Sequence, residues 1–151
     1  MNDRLNLPEA KLKYKDTNNK LTVFDVCRSK YVMFTPEENV RQHFIHYLVN
    51  QFSYPKSMIG VEKEVKLNGR SHRADVIIYD KKGNPLVIIE CKRPKVKLDK
   101  QAFLQVSRYN ITLNVPYLFL TNGLEHFYFY LDSKSQLLRQ LEEIPPYEEI
   151  T

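Results

Sequence analysis

The fold of this 151-residue chain is decided by two apolar runs, Arg73-Ala-Asp-Val-Ile-Ile-Tyr79 and Leu86-Val-Ile-Ile-Glu-Cys-Lys92. A turn-forming stretch, Asp80-Lys-Lys-Gly-Asn-Pro85, separates them, and this pattern predicts two antiparallel strands. Each run also carries an acid, Asp75 or Glu90. Ionised side chains rarely lie among buried strand residues without a partner or a function. These two acids are therefore the first candidates for a functional site.

The predicted pairing brings the two acids together. If Tyr79 faces Leu86 across the turn, counting back places Asp75 opposite Glu90. Directly opposed residues project to the same side of a sheet, with Cβ atoms ~4.5–5.5 Å apart. Lys92 joins that face because side chains alternate with a period of two. A register shift of one residue would scatter the three groups, so the prediction depends on the turn.

Two carboxylates this close would repel each other unless a cation lay between them. Mg²⁺ is the natural candidate, because it takes oxygen ligands at ~2.0–2.1 Å and often uses only one or two carboxylates. Lys92 could then hold an attacking water or a scissile phosphate. The alternative is structural, with Asp75 paired to Arg73 or Lys92 and Glu90 at a strand end. The side chain of Cys91 should point away from this face into the core.

The sequence before these two strands predicts an N-terminal extension followed by a helix. Residues 1–34 contain a predicted hairpin in which residues 11–14 face residues 21–25. Thr35 is the expected N-cap of the following helix, with Pro36 at its first position and two acids in its first turn.

The remaining elements are predicted from periodicity and from turn residues. The first helix ends at Ser53-Tyr-Pro55, and residues 61–67 form the first of three antiparallel strands. Later elements are a helix from about 98 to 110, strands at 115–121 and 125–131, and a short helix at 136–141 within the C-terminal tail, 133–151. This order predicts one α+β domain over residues 1–151, a mixed sheet flanked by helices. The helix after Lys92 gives a crossover long enough for parallel pairing.

Charge and composition favour an anionic partner. The formal net charge is +5 and the pI about 9.1, and basic residues crowd the segment after Glu90: Lys92, Arg93, Lys95, Lys97 and Lys100. Two cysteines do not make a disulfide framework. The N-terminus does not resemble a signal peptide, and no apolar run is long enough to cross a membrane. We therefore expect a soluble, cytoplasmic protein that binds nucleic acid.

The ordered motifs resemble the PD-(D/E)XK nuclease superfamily. An Asp on one strand and Glu90-Cys-Lys92 on the next are joined by three other elements: Pro36-Glu-Glu-Asn-Val-Arg41, Gln105-Val-Ser-Arg-Tyr109 and Thr121-Asn-Gly123. Over about residues 20–130 the set is most similar to the N-terminal nuclease domain of type I restriction enzyme R subunits, in a short stand-alone form. Ala74 stands where the superfamily's name has proline.

This resemblance implies a restriction-endonuclease-like fold and Mg²⁺- or Mn²⁺-dependent hydrolysis of DNA. Asp75 and Glu90 would bind the metal, together with the backbone carbonyl of Cys91. Lys92 would position or activate water, and Gln105 would support that lysine. DNA contacts are expected from the basic residues near the site and from the second helix: Arg73, Arg93, Lys95, Lys97, Lys100 and Tyr109.

The first helix is expected to supply one more acid to the metal. Glu37 is preferred, because its side chain should continue the buried stripe toward the sheet, whereas Glu38 should face solvent. Glu38 is the alternative. Either acid could also simply compensate the helix dipole.

Two other functions remain open at this point. One is a catalytically inactive nucleic-acid-binding module on the same fold, and the other is an interaction domain of a restriction or defence complex. Because the sequence contains no Walker-type Gly-Lys-Ser/Thr motif, ATP-driven translocation would need another subunit.

Overall fold

The computed structural model describes residues 4–151 and contains two sheets. The first has three antiparallel strands: β1 (Tyr14–Thr17), β2 (Lys20–Asp25) and β3 (Lys30–Met33). The second has six strands in the order β4 (Ile59–Leu67), β5 (Arg70–Tyr79), β6 (Pro85–Cys91), β7 (Tyr117–Thr121), β8 (His126–Asp132) and β9 (Leu137–Leu141). Helix α1 (Pro36–Phe52) follows β3, α2 (Lys100–Leu113) connects β6 to β7, and α3 (Tyr147–Ile150) is the last element.

The six-stranded sheet is mixed. Its strands pair antiparallel except β6 and β7, which pair parallel with α2 as the crossover. The predicted α+β architecture of a mixed sheet with helices is thus confirmed.

The helices begin and end where their capping residues require. The Thr35 hydroxyl accepts the Glu38 N–H at 3.0 Å, and Pro36 occupies the first turn, as predicted. Asp99 caps α2 by accepting the Ala102 N–H at 2.9 Å. Helices α1 and α2 end at residues in the left-handed conformation, Ser53 and Asn114, which satisfies terminal carbonyls.

Apolar residues of α1 and α2 build two core clusters against the sheet. The larger contains Phe44 and Leu48 of α1 with Val76, Ile89 and other strand residues. The smaller contains Val106 of α2 with Leu118 and Leu120 of β7. None of the helices described within residues 4–151 is long and apolar enough to cross a membrane.

The register between β5 and β6 differs from the prediction at the turn and agrees beyond it. Tyr79 pairs with Pro85, so the predicted pairing with Leu86 is wrong. The Asp80 side chain accepts backbone N–H groups from Lys82 and Asn84, which tightens the turn. A bulge between Ile78 and Tyr79 then absorbs the extra residue. Val76 consequently pairs with Ile89, and Asp75 and Glu90 occupy the next position in the register.

The C-terminal tail corrects a second prediction. Residues 137–141 form β9 on the edge of β8 and not the predicted helix over 136–141. The open edge of β8 offers these residues backbone partners, whereas a helix this short would leave most of its terminal N–H and C=O groups without intrahelical partners. After β9 the buried Tyr147 donates to the Tyr79 carbonyl at 2.9 Å.

The predicted N-terminal hairpin is present but shifted toward the C-terminus. Its turn consists of Asn18 and Asn19, which both have positive φ and therefore favour a tight two-residue turn. The paired strands begin at Tyr14, so most of the predicted first strand, residues 11–13, precedes β1. The third strand, β3, was not predicted. Residues 1–3 of the predicted extension lie outside the described residues.

Candidate active site

Asp75 lies at the point where β5 leaves β6 and where its ladder with β4 is interrupted for one residue. The ladder with β6 ends at Val76 and Ile89, and the backbone N–H of Cys91 donates to Asp75 Oδ2 at 2.8 Å in place of a strand carbonyl. On the other side, the pairing between β5 and β4 leaves out Glu62. The backbone of Glu62 has a φ of 52°, in the left-handed region. A non-glycine residue in this conformation is uncommon and is often associated with functional sites.

Lys92 and Glu90 complete a compact group with Asp75. The Lys92 Nζ is 2.9 Å from Glu90 Oε1. The Lys92 N–H donates to the Thr121 carbonyl at 2.8 Å, so the end of β6 stays attached to β7 while it leaves β5. Cys91 points to the opposite side and is buried in the larger core cluster, as strand alternation predicts.

The two carboxylates share a poorly solvated, negatively charged environment. Burial, and then the charge of Asp75, raise the pKa of Glu90 to about 7, although Lys92 acts in the opposite direction. Burial also raises the pKa of Asp75, against the effects of the Cys91 N–H, Arg41 and Lys92. Because neighbouring acids disfavour each other's ionisation, this group would gain from an additional cation. The nearby carboxylates raise the pKa of Lys92 against the effect of desolvation, which keeps the amine charged.

Glu37 and Glu38, the two acids of the first helical turn, lie in the reverse of the environments predicted for them. Glu38 is buried, and it accepts hydrogen bonds from Arg41 Nε at 2.8 Å, Arg28 Nη2 at 3.1 Å and Gln42 Nε2 at 3.1 Å. The expectation that Glu38 faces solvent and Glu37 continues the buried stripe is therefore wrong. The reason is that two arginines, one from a different segment, compensate the charge of Glu38.

Glu37 is exposed but lies near the site. Desolvation, and then the charge of Asp75, raise the pKa of the Glu37 carboxyl. Its side chain lines a groove of about 480 Å³, which has Arg28, Met33, Arg41, Glu62 and Arg93 among its other lining residues. We call this the arginine groove. Glu37 is thus the first-turn acid left free by the ion pairs that hold Glu38.

Sequence reasoning missed a network of charges behind Asp75. Arg41 is buried beside Glu38, and its Nη1 is 4.0 Å from Asp75 Oδ1. Arg28, from the loop after β2, bridges Asp25, Glu38 and Glu62 at 2.7 to 3.2 Å. The spacing of Glu38 and Arg41 at i and i+3 was a detectable signal for one ion pair. The contributions of Arg28 and Glu62 depend on tertiary structure.

The predicted DNA-binding residues lie on the surface around the site. Arg93, Lys95 and Lys97 are exposed in the segment between β6 and α2, and Lys100 is exposed at the first position of α2. Arg73 is 72% exposed, and its Nη1 is 3.8 Å from Glu62 Oε2.

Gln105 and Tyr109, the two site residues predicted on the second helix, lie in different environments. Gln105 is exposed on α2, and among the described residues no hydrogen bond joins it to Lys92. Tyr109 is half-buried, and its hydroxyl is 3.3 Å from His72 Nδ1 on β5. The structure thus brings Tyr109 to the strand of Asp75 and leaves Gln105 at the surface.

The residues described, 4–151, contain no group of three or more His, Cys, Asp and Glu side chains arranged to hold a metal ion. The oxygen donors gathered at the end of β6 are the Asp75 and Glu90 carboxylates. Both cysteines are free.

Comparisons with known proteins place this chain in a family. No curated protein matches it. Among solved structures, its fold is similar to a fragment described as an HsdR subunit of a type I restriction enzyme from Vibrio vulnificus YJ016, with a TM-score of 0.55 and 17% sequence identity. The match covers 76% of this chain but 24% of that one, so this chain spans about a quarter of the length of its structural relative.

A family model gives the more specific match. Residues 36–145 match the model described as type I restriction enzyme R protein N terminus. This range begins at the first residue of α1 and ends after β9, so it includes the candidate site and the whole six-stranded sheet. The chain therefore belongs to the family of type I restriction enzyme R protein N-terminal domains.

Proposed function

We propose that this chain is a Mg²⁺-dependent DNA endonuclease of the PD-(D/E)XK type. One observation carries the proposal: Asp75, Glu90 and Lys92 meet where β5 and β6 separate, with Lys92 paired to Glu90 at 2.9 Å. The ends of paired strands hold such side chains more rigidly than a loop would. Family membership supports a role in restriction.

The donor set fits a hard divalent cation. Asp75 and Glu90 are neighbouring carboxylates whose ionisation is mutually unfavourable, and a cation between them would remove that penalty. Mg²⁺ needs only one or two carboxylates, because water and substrate phosphate complete its coordination. The proposed ligands are therefore Asp75, Glu90 and the Cys91 carbonyl, with Glu37 as a nearby additional acid. Mn²⁺ would suit the same oxygen donors.

Each side chain then has a separate role in hydrolysis of a phosphodiester bond. The bound metal would supply Lewis-acid stabilisation of the developing charge and a more acidic water. Lys92, kept protonated by the surrounding acids, would orient the attacking water or hold the scissile phosphate. Arg41, buried 4.0 Å from Asp75, would keep that carboxylate ionised and in position.

DNA is the proposed substrate because the surface near the site is basic. Arg73, Arg93, Lys95, Lys97 and Lys100 are exposed and would contact phosphates. Gln105 and Tyr109 would add contacts from α2. Other restriction subunits are proposed as partners, because the family is that of the R protein of a type I restriction enzyme.

The test is a cleavage assay on supercoiled, linear duplex and single-stranded DNA with Mg²⁺, Mn²⁺ or chelator. We expect nicking that requires the metal and disappears in Asp75→Ala and Lys92→Ala, while circular dichroism shows that both variants fold. Lys134→Ala, in the exposed turn between β8 and β9, is the matched control. Metal-dependent cleavage that persists in both site variants would contradict the assignment of Asp75 and Lys92 to the active site.

A non-cleaving DNA-binding module is the second candidate. The exposure of the whole basic segment after Lys92 favours it, because binding to phosphates needs no catalytic geometry. This candidate predicts salt-dependent DNA binding with no cleavage under any metal condition. An interaction domain of a larger restriction complex would instead show partner binding without affinity for DNA.

A further inference from the structure

The solvent side of the N-terminal sheet carries lysines and aromatic rings in two adjacent rows. Strand pairing aligns Lys15, Thr22 and Met33 in one row. Lys13, Phe24 and Tyr31 form the next, since the Phe24 N–H donates to the Lys13 carbonyl at 2.8 Å and Phe24 pairs with Tyr31. We call these six residues the open face.

Burial varies along both sides of this sheet: on the open face Thr22 is buried and Phe24 half-buried, and on the opposite side Tyr14 and Leu21 are exposed. Val23 and Asp25 point to the opposite side and are fully buried, and Asp25 is paired with Arg28. On the open face, by contrast, Tyr31 is 41% exposed and Met33 is 51% exposed. None of its six residues is acidic, and Lys20 adds another positive charge beyond the Lys15 row. Tyr31 and Met33 thus form an apolar patch exposed among lysines, which makes this face a candidate binding surface.

The aromatic rings and the ammonium groups of the open face lie against each other. The Lys13 Nζ is 5.9 Å from the centroid of the Phe24 ring, and the Lys15 Nζ is 5.5 Å from that of Tyr31. The two ring centroids are 5.2 Å apart. A base stacked on either ring would therefore have a positive charge close to its backbone phosphate. Rings paired with cations on a groove or sheet are how proteins bind single strands without sequence preference.

The open face adjoins the arginine groove. Met33 belongs to the open face and also lines the arginine groove, which Glu37 and Arg93 line as well. A nucleic-acid strand on the open face would thus continue into the arginine groove, where the Nη1 of the lining residue Arg41 is 4.0 Å from Asp75 Oδ1. In a duplex the bases are stacked on each other and cannot stack on Tyr31 or Phe24 as well, whereas those of a single strand can.

We propose that the open face binds a single-stranded DNA segment next to the cleavage site. The inference rests on the proposed function in taking DNA as the substrate, and it adds the form of that substrate. The chain would act on DNA with an unpaired stretch, such as a flap, a bubble or a duplex end that has separated.

Binding in the presence of chelator tests this inference apart from cleavage. Fluorescence anisotropy would measure the affinity of the full chain for labelled oligothymidylate and for a duplex of equal length. We expect Tyr31→Ala to weaken binding of the single strand by at least about fivefold and to leave duplex binding nearly unchanged. Lys13→Glu should weaken both. The matched controls are Tyr130→Ala, a similarly exposed tyrosine on β8, and Lys134→Glu.

Several results would overturn the inference. One is that Tyr31→Ala binds oligothymidylate as tightly as the Tyr130→Ala control. Another is that Tyr31→Ala weakens binding of the duplex by the same factor as binding of the single strand. A third is that sedimentation shows a dimer that Tyr31→Ala dissociates without any change in DNA affinity, because the open face would then bind a second copy. If the chain binds single strands as expected but never cleaves them, only the proposed nuclease activity fails.

Discussion

The backbone N–H of Cys91 donates to the Oδ2 of Asp75 at 2.8 Å, so a side-chain carboxylate replaces a strand partner where β5 and β6 separate. The Cys91 side chain is held in the core on the other side of the sheet, which sets the direction of its N–H. The carboxylate of Asp75 is consequently oriented by the core itself. This connection couples the stability of the fold to the geometry of the candidate site.

Asp75 should have separable roles in stability and in cleavage. Asp75→Asn keeps an oxygen for the Cys91 N–H, so its free energy of unfolding should stay within about 1 kcal/mol of the wild type. Asp75→Ala leaves that donor without its acceptor and should lose about 1–3 kcal/mol. Both variants should lose metal-dependent cleavage. Urea unfolding measures the free energy of unfolding of each variant. Equal stabilities for Asp75→Asn and Asp75→Ala would contradict the role given to this hydrogen bond.

Stability should depend on pH through Glu90. Burial and the charge of Asp75 raise the pKa of Glu90 to about 7 in the folded state, above that of an unfolded glutamate. The folded protein therefore holds this proton more tightly, and stability is lost as pH rises from about 4.5 through about 7.

Glu90→Gln removes the titration, so its stability relative to the wild type should increase as the pH rises across that interval. Urea midpoints measured in chelator at about pH 5.5 and about pH 8 would show the change. A difference between the two proteins that stays constant with pH would contradict the raised pKa.

Arg41 should contribute far more to stability than Arg73. Arg41→Ala leaves the buried Glu38 carboxylate without its nearest cation, and breaking a buried pair in this way costs about 3–5 kcal/mol. Arg73→Ala removes a solvent-exposed contact to Glu62 and should change stability by less than about 1 kcal/mol. Denaturant unfolding of both variants at neutral pH provides the comparison. Similar losses for the two would mean that Glu38 finds sufficient compensation from Arg28.

The basic segment after Lys92 should bind DNA through phosphates and without sequence preference. Lys95→Ala and Lys97→Ala should each weaken binding to unrelated duplexes by the same factor. Each should also reduce the slope of log affinity against log salt by about 1, whereas Lys134→Ala should leave it unchanged. Salt titrations in chelator measure these slopes. Effects that differ between DNA sequences would indicate contacts to bases.

Strand and helix positions were largely predictable because their signals are local. The apolar runs in residues 73–79 and 86–92, with a turn-forming stretch between them, identify two paired strands, and Thr35 followed by proline marks the start of α1. The predicted partner of Tyr79 was wrong by one residue, but the bulge beside it restored the register that places Asp75 next to Glu90. The tail was mistaken for a helix because the reason for a strand there lies in β8, not in residues 137–141.

The two acids at the start of α1 show why the site was only partly predictable. Residue spacing could suggest which side of the helix each acid occupies. It could not show that Arg28, ten residues earlier, would reach Glu38, or that Glu62 would join the same network. Burial of a charge depends on the cations that surround it in three dimensions.

By itself, the sequence predicted that Asp75, Glu90 and Lys92 share one face, because the period of a strand is a local property. The length of the turn did not fix their register, since the bulge beside Tyr79 restored it. Tertiary structure decided the surroundings of that surface: Arg41 behind Asp75, Glu37 left at the arginine groove, and the open face of the N-terminal sheet beside it. These relations depend on contacts between segments far apart in the chain, which only the packed core brings together.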